Sequence, residues 1–336
     1  MLKRLLIMGS LLVVMVITTS GLIYKDYKSF LNTPINAAQS LVFIVEPGMS
    51  FNDINKLFES QGLIKETHYF KFLARHTNKA NKIKSGEYEI PSGILPNEVL
   101  DILVSGKVIQ HTFTLIEGWS FLELLDAVKN NDLLVKTLDY DNSENLMAQL
   151  GCPESNPEGL FFPDTYHFPR GTTDKAFLLR AYQRLQDVLN DEWQQRAENL
   201  PYKTPYEALT MASIIEKETG LASERKTIAG VFVRRLKKNM KLQTDPTVIY
   251  AMGLQFDGNI RKKDLDIDSP YNTYRYKGLP PGPIALVGQE AIHAALHPED
   301  GTALYFVAKG DGSHYFSDSL KEHNKAVSRF QLKAGQ

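Results

Sequence analysis

Glu216 and Glu218 stand two residues apart in MASIIEKETG, Met211 to Gly220, where an apolar helical pattern runs into two carboxyls. A carboxyl set against an apolar stripe has its pKa raised, because desolvation disfavours the charged form. Such a group holds a proton near neutral pH and suits general acid catalysis. The wider segment TPYEALTMASIIEKETG predicts a helix from Pro205 to Thr219, with Thr204 as N-cap, Pro205 first, Glu207 third and Gly220 as the stop. Residues two apart on a helix point about 200° apart, so only one glutamate faces a given cleft. Glu218 continues the stripe Ala208, Met211, Ile215, while Glu216 continues Leu209 and Ala212. Periodicity does not choose between them, and on this pattern alone a solvated helix end is the stronger reading.

Other residues suit the walls of a sugar cleft. EGLFFPDTYHFPRGTT, Glu158 to Thr173, gathers aromatic side chains with Asp164, His167 and Arg170. Sugar C–H faces stack on rings while hydroxyls take hydrogen bonds. Asp164 and Tyr166 are the wall candidates, and Phe161, Phe162 and Phe168 read equally as core. His293 and His297, four apart in IHAALHP, have the spacing of two metal ligands on one helix face. No HExxH glutamate accompanies them and no third ligand is evident, so they read as a helix end before Pro298. AKGDGSHYFSD lies between strand-like runs and predicts a hairpin turn, with His314 and His323 as borders of a cleft. Neither a metal nor a cofactor is expected.

The elements that must position these groups follow from the rest of the chain. Its 336 residues are 43% apolar and 23% charged, enough for two or more domains. A formal net charge of −1 makes no call for nucleic acid. The one cysteine, Cys152, excludes a disulfide within the chain and a cysteine-based zinc site. After a short tail, 1–4, the run Leu5 to Tyr24 is uninterrupted by charge and long enough as a helix to cross a bilayer. INAAQS is a poor cleavage site, so the run reads as a retained anchor with the chain beyond it outside the cytoplasm. A tether, 25–39, leads to strand Leu41–Val45, a helix capped by Ser50 with Asp53, a second helix from Thr67 to Arg75, a strand in SGEYEIPSG and a helix ending at Gly106. The module 40–110 looks like a LysM-type sugar-binding domain in its order of elements. FTLIEGWSFLELLDAV echoes FIVEPGMSFNDINKLF, which makes 111–157 a second small module or a linker. A core helix from Asp174 to Asn199 then opens a mixed α/β domain, 158–336, in a chain of α+β class.

Five segments carry a more specific signal. FFPDTYHF, ASIIEKETG, VFVRRLKKNMKLQTDPTVIYAMG, SPYNTYRYKGLPPGPIALVGQEAIHAALHP and YFVAKGDGSHYFSDSLKEHNKAV follow one another in this order. Together they resemble the endolytic murein transglycosylase family, the YceG-like proteins. The resemblance implies a membrane-anchored enzyme that cuts nascent peptidoglycan glycan strands internally and ends their elongation. It implies peptidoglycan strands, the cytoplasmic (inner) membrane and peptidoglycan synthases (penicillin-binding proteins) as partners. It places the catalytic acid on the second glutamate of Glu-Lys-Glu-Thr, Glu218, with Glu216 as a supporting residue. Gln243, Thr244 and Asp245 in LQTDP, and Tyr271, Asn272 and Thr273 in SPYNTY, become candidates for the supporting shell, although each also suits a turn. A non-catalytic peptidoglycan-binding scaffold and a water-using muramidase, with Glu218 as acid and Asp245 as base, are the rival readings.

Overall fold

The computed structural model describes residues 2–35, 39–154 and 156–332. The segment weighed as a cleavage site, 35–40, includes residues 36–38, which lie outside the described ones. The described chain divides into two compact units, one formed by residues up to His111 with His167–Gly171, the other by Thr112–Tyr166 and Thr172 onward.

The smaller unit begins with α1, Leu2–Leu31, whose apolar run is exposed and is long enough to cross a membrane. Its far end is packed: Phe30 is buried, and Tyr27 meets Phe72 edge-on at 5.2 Å. Strand β1 (Leu41–Val45), helices α2 (Phe51–Ser60) and α3 (Thr67–His76), strand β2 (Gly86–Ile90) and α4 (Pro96–Ser105) follow. β1 and β2 pair antiparallel, Phe43 opposite Tyr88. Phe43 stacks on Phe58 at 4.1 Å, and Phe58 meets Phe70 at 5.3 Å. Local chemistry sets the ends: Ser50 and Asp53 form the expected capping box, and Gly106 closes α4 in the left-handed region at φ 72°.

β3 (Gln110–Thr114) spans the division at His111 and leads to α5 (Phe121–Lys129) in the larger unit, where Ser120 and Glu123 repeat the capping box of Ser50 and Asp53. The sequence echo is therefore real at the level of the cap. β3 pairs with β4 (Thr165–Pro169), and residues 112–166 group with the rest of the larger unit. Helices α6 (Leu146–Leu150), α7 (Asp174–Gln194), α8 (Pro205–Glu218), α9 (Ala222–Lys237), α10 (Asp245–Met252), α11 (Gln289–Leu296) and α12 (Leu320–Val327) complete it, with the hairpin of β5 (Tyr305–Ala308) and β6 (His314–Ser317). The sheets among the described residues are all two-stranded, in a chain of mixed α+β class. α7 also stops short of Asn199. The chain turns there so that the Ala197 N–H donates to the Leu296 carbonyl at 2.9 Å.

Every residue of α8 from Ala208 to Ile215 is buried. A helix buried all round is a central one, and α7, α9, α10 and α11 all pack on it.

Candidate active site

Glu218 is the last residue of α8. Thr204 caps the other end, accepting from the Glu207 N–H at 3.2 Å, and Pro205 occupies the first turn. The stop is Thr219, extended at φ −147° and ψ 134°, and not Gly220. The Thr219 hydroxyl accepts from the Leu221 N–H at 3.0 Å, which fixes the exit of the chain.

The half-buried Glu218 carboxyl receives a hydrogen bond on Oε1 from the hydroxyl of Thr244. Thr244 is itself held. Its N–H donates to Thr273 Oγ1 at 3.1 Å, and its carbonyl accepts from the Thr247 hydroxyl at 2.7 Å. Arg235 stands near and is spent on carbonyls, donating to Leu304 at 2.6 Å and Leu242 at 2.8 Å. Burial pushes the Glu218 pKa up to about 7; the Thr244 bond opposes the rise, Asp245 adds to it and Arg235 opposes it. The group can therefore be protonated and can also give up its proton near neutral pH.

A cleft of about 460 Å³ opens on Glu218, with Gln243, Asp245, Tyr274, Tyr305 and His323 on its walls. Asp245 Oδ1 accepts from the Tyr274 hydroxyl at 2.6 Å. Gln243 is exposed and sits in the left-handed region at φ 51°, a strained backbone for a residue with a side chain. The His323 ring stacks on Tyr305 at 5.3 Å, and its Nδ1 is buried with no hydrogen-bond partner among the described residues. Burial, then Arg235, holds the His323 pKa down, which keeps the ring neutral. His314 borders the same cleft, but its Nδ1 is spent on Glu224 at 2.7 Å.

Of the residues singled out from sequence, Thr244 bonds Glu218, Gln243 and Asp245 line its cleft, and five others stand elsewhere. Glu216 points to the other side of α8, where Oε2 accepts from the Gly288 N–H at 3.1 Å and Oε1 lies 3.7 Å from Arg225. Asn272 is fully buried, and its amide donates to the carbonyls of Leu265 and Ile267 at 2.9 and 2.8 Å, so it holds a turn and lines no cleft. Tyr271 turns towards Tyr250, with ring centroids 4.7 Å apart, and its hydroxyl accepts from Asn156. Asp164 is exposed and accepts from the N–H of Thr165. Tyr166, the other wall candidate, is core, its hydroxyl bonded to the Phe162 carbonyl at 2.7 Å.

Sequence reasoning passed over three groups. Arg235 lay unremarked in VFVRRLKKN and Tyr274 in SPYNTY. Glu158 is buried at the edge of a second hollow of about 1010 Å³, on the other flank of α10 with Phe121, Lys217, Pro246 and Tyr250. Its Oε1 accepts from the Phe121 N–H at 2.9 Å, and burial pushes its pKa up to about 7. Its only sequence signal was a carboxyl at the head of an aromatic run.

Residues 43–329 match the model of the YceG-like family. A Bacillus subtilis (strain 168) protein named endolytic murein transglycosylase is 32% identical over 303 residues, covering 85% of this chain and 83% of that protein. A protein of the same name from Streptococcus pneumoniae serotype 2 (strain D39 / NCTC 7466) is 27% identical over 335 residues, covering 89% of this chain and 60% of its own length. A crystal structure of a YceG-like protein from Listeria monocytogenes is similar with a TM-score of 0.52 and 31% identity, covering 86% of this chain and 99% of that one.

Proposed function

Because the chain belongs to the YceG-like family, we propose that it is a peptidoglycan lytic endotransglycosylase that cuts the β-1,4 bond between N-acetylmuramic acid and N-acetylglucosamine within glycan strands. The observation that carries the mechanism is one titrating carboxyl, Glu218, poised between proton donor and acceptor at the end of a buried helix.

Ordinary glycosidases use two carboxylates, one as acid and one as base or nucleophile. Here one suffices. Protonated Glu218 gives its proton to the glycosidic oxygen as the bond from C1 to that oxygen breaks. The C6 hydroxyl of the same muramic acid residue attacks C1, and its proton passes to the Glu218 carboxylate. The products are a 1,6-anhydro end and a free 4-hydroxyl, Glu218 is again protonated, and no water is consumed. Thr244 steadies the carboxylate between the two transfers. Gln243, exposed on the cleft wall, offers a polar contact to the sugar.

Around this centre, α1 serves as a retained single-pass anchor in the cytoplasmic membrane, with the chain beyond it on the outer side. The β1–α2–α3–β2 order of the smaller unit suits a LysM-like module that holds glycan without cutting it. An enzyme so placed acts beside the peptidoglycan synthases and ends strand elongation.

The test is product analysis by mass spectrometry on uncrosslinked glycan. Wild-type protein should leave 1,6-anhydro ends, and folded Glu218→Gln should leave none above background. Reducing ends would instead indicate a hydrolase with Asp245, hydrogen-bonded to Tyr274, as base. No cleavage by wild type would leave the scaffold reading. A mature N-terminus at or beyond residue 39 would overturn the anchor.

A further inference from the structure

The two histidines that sequence left without a third ligand acquire one in the fold. Glu192 reaches them from α7, and one ligand atom from each of Glu192, His293 and His297 lies within 4.8 Å of the other two. Glu192 Oε2 is 2.8 Å from His293 Nδ1, and its other oxygen accepts from the Gln289 amide at 3.2 Å. The two imidazoles stack with centroids 4.2 Å apart and planes 20° apart.

The tautomer of His297 is the informative detail. Its Nε2 lies 2.8 Å from the Gln195 carbonyl. A carbonyl only accepts, so Nε2 carries the hydrogen, and in the neutral ring Nδ1 keeps a lone pair. That lone pair faces another acceptor, the His293 carbonyl, at 3.2 Å. Two acceptors facing one another call for a cation or a second proton. A histidine ligand whose far nitrogen donates to a backbone carbonyl is the usual arrangement around a metal. Two imidazoles and a carboxylate form a donor set that suits zinc, at Zn–N distances of about 2.0–2.1 Å.

We propose that Glu192, His293 and His297 bind zinc, leaving a fourth position open to the hollow they share with Arg225 and Lys226. That hollow has no lining residue in common with the Glu218 cleft. The metal acts as a clip between the end of α7 and the end of α11, two helices that pack on α8. Its effect is on the stiffness of that scaffold and not on the bond-breaking step.

The test uses the full chain in detergent, without an affinity tag and stripped of metal. Zinc and cobalt(II) are titrated in turn, and melting temperature and visible absorption are read. One equivalent of cobalt should give the intense visible bands of a tetrahedral N/O site. Zinc at a hundredfold its dissociation constant should raise Tm by about 5–10 °C. Glu192→Gln should weaken binding tenfold or more, and His297→Gln, which keeps a polar side chain, should abolish both signals. If zinc shifts wild type and His297→Gln alike, binding lies elsewhere and the proposal fails. If zinc does nothing while mild acidification stabilises the wild type, the cluster is a protonated His–Glu ion pair and the proposal likewise fails.

Discussion

The hydroxyl of Thr244, at the start of α10, donates to Oε1 of Glu218, at the end of α8. This bond opposes the rise that burial imposes on the acid. Thr244→Val keeps the shape and removes the donor. A hydrogen bond to a charged group is worth about 1.5–3 kcal/mol, and a pKa unit is about 1.4 kcal/mol. The basic limb of the kcat/KM profile, near pH 7 in the wild type, should therefore move up by about one unit or more, with a lower maximum because the carboxylate is a poorer leaving state for the proton. A pH–rate profile of anhydro-end formation reads this directly, and a limb that stays put or moves down contradicts the assigned role.

The raised pKa of Glu218 also has a stability consequence. The unfolded carboxyl titrates near 4.5 and the folded one near 7, so the folded state binds more protons between those values. Stability falls as pH rises wherever the native state binds the extra proton. The penalty is absent below about pH 4.5, grows through the window and is complete above about pH 7, at no more than about 3 kcal/mol. Glu218→Gln removes it. The variant should melt above the wild type near pH 8 and close to it near pH 4.5. Equal melting curves at both pH values would mean that the carboxyl is freely hydrated.

Glu158 is a buried carboxyl whose pKa is also pushed up to about 7. It fastens the first turn of α5 by accepting from the Phe121 N–H and stands apart from the Glu218 cleft. Glu158→Gln, which preserves an acceptor, should keep anhydro-end formation within about threefold. Glu158→Ala leaves that N–H unpaired and should cost about 1–3 kcal/mol. Loss of turnover in a folded Glu158→Gln protein would move the chemistry to the second hollow.

The ends of the elements were legible because they rest on local chemistry: Thr204 and Pro205 at α8, Ser50 with Asp53 at α2, Gly106 after α4. The choice between Glu216 and Glu218 was not legible from period, and the reason is physical. With Ala208 to Ile215 buried on every side, that stretch of α8 has no exposed face against which a stripe can be judged. Asn272 and Tyr166 looked like cleft residues because polar groups in turns resemble polar groups in sites. Only the fold shows that the Asn272 amide is spent on two carbonyls and the Tyr166 hydroxyl on one. Arg235 and Glu192 come from other helices, and no spacing in the sequence links them to Glu218 or to the histidines.

Glu216 separates a positioning role from a catalytic one. Its side chain is 6% exposed, accepts from the N–H of Gly288 at the start of α11 and faces Arg225, whose Nε is buried without a hydrogen-bond partner among the described residues. Burial pushes its pKa up first, the Gly288 N–H opposes this, and Glu117 adds to it. Glu216→Gln keeps an oxygen for Gly288 and loses only the attraction to Arg225, which retains Glu290. It should form anhydro ends within about threefold of wild type and melt no lower than wild type near pH 8, because the raised pKa means that burial and the neighbouring carboxylates outweigh the attraction to Arg225. Glu216→Ala strands the Gly288 N–H and should be destabilised by about 1–3 kcal/mol. The decisive comparison sets Glu216→Gln beside Glu218→Gln, with circular dichroism to establish folding. One group acts as acid and then as base at Glu218, so its loss should reach or exceed the upper end of the roughly 10²–10⁴-fold range for a single acid–base residue. A folded but inactive Glu216→Gln protein would show that the wrong carboxylate was chosen.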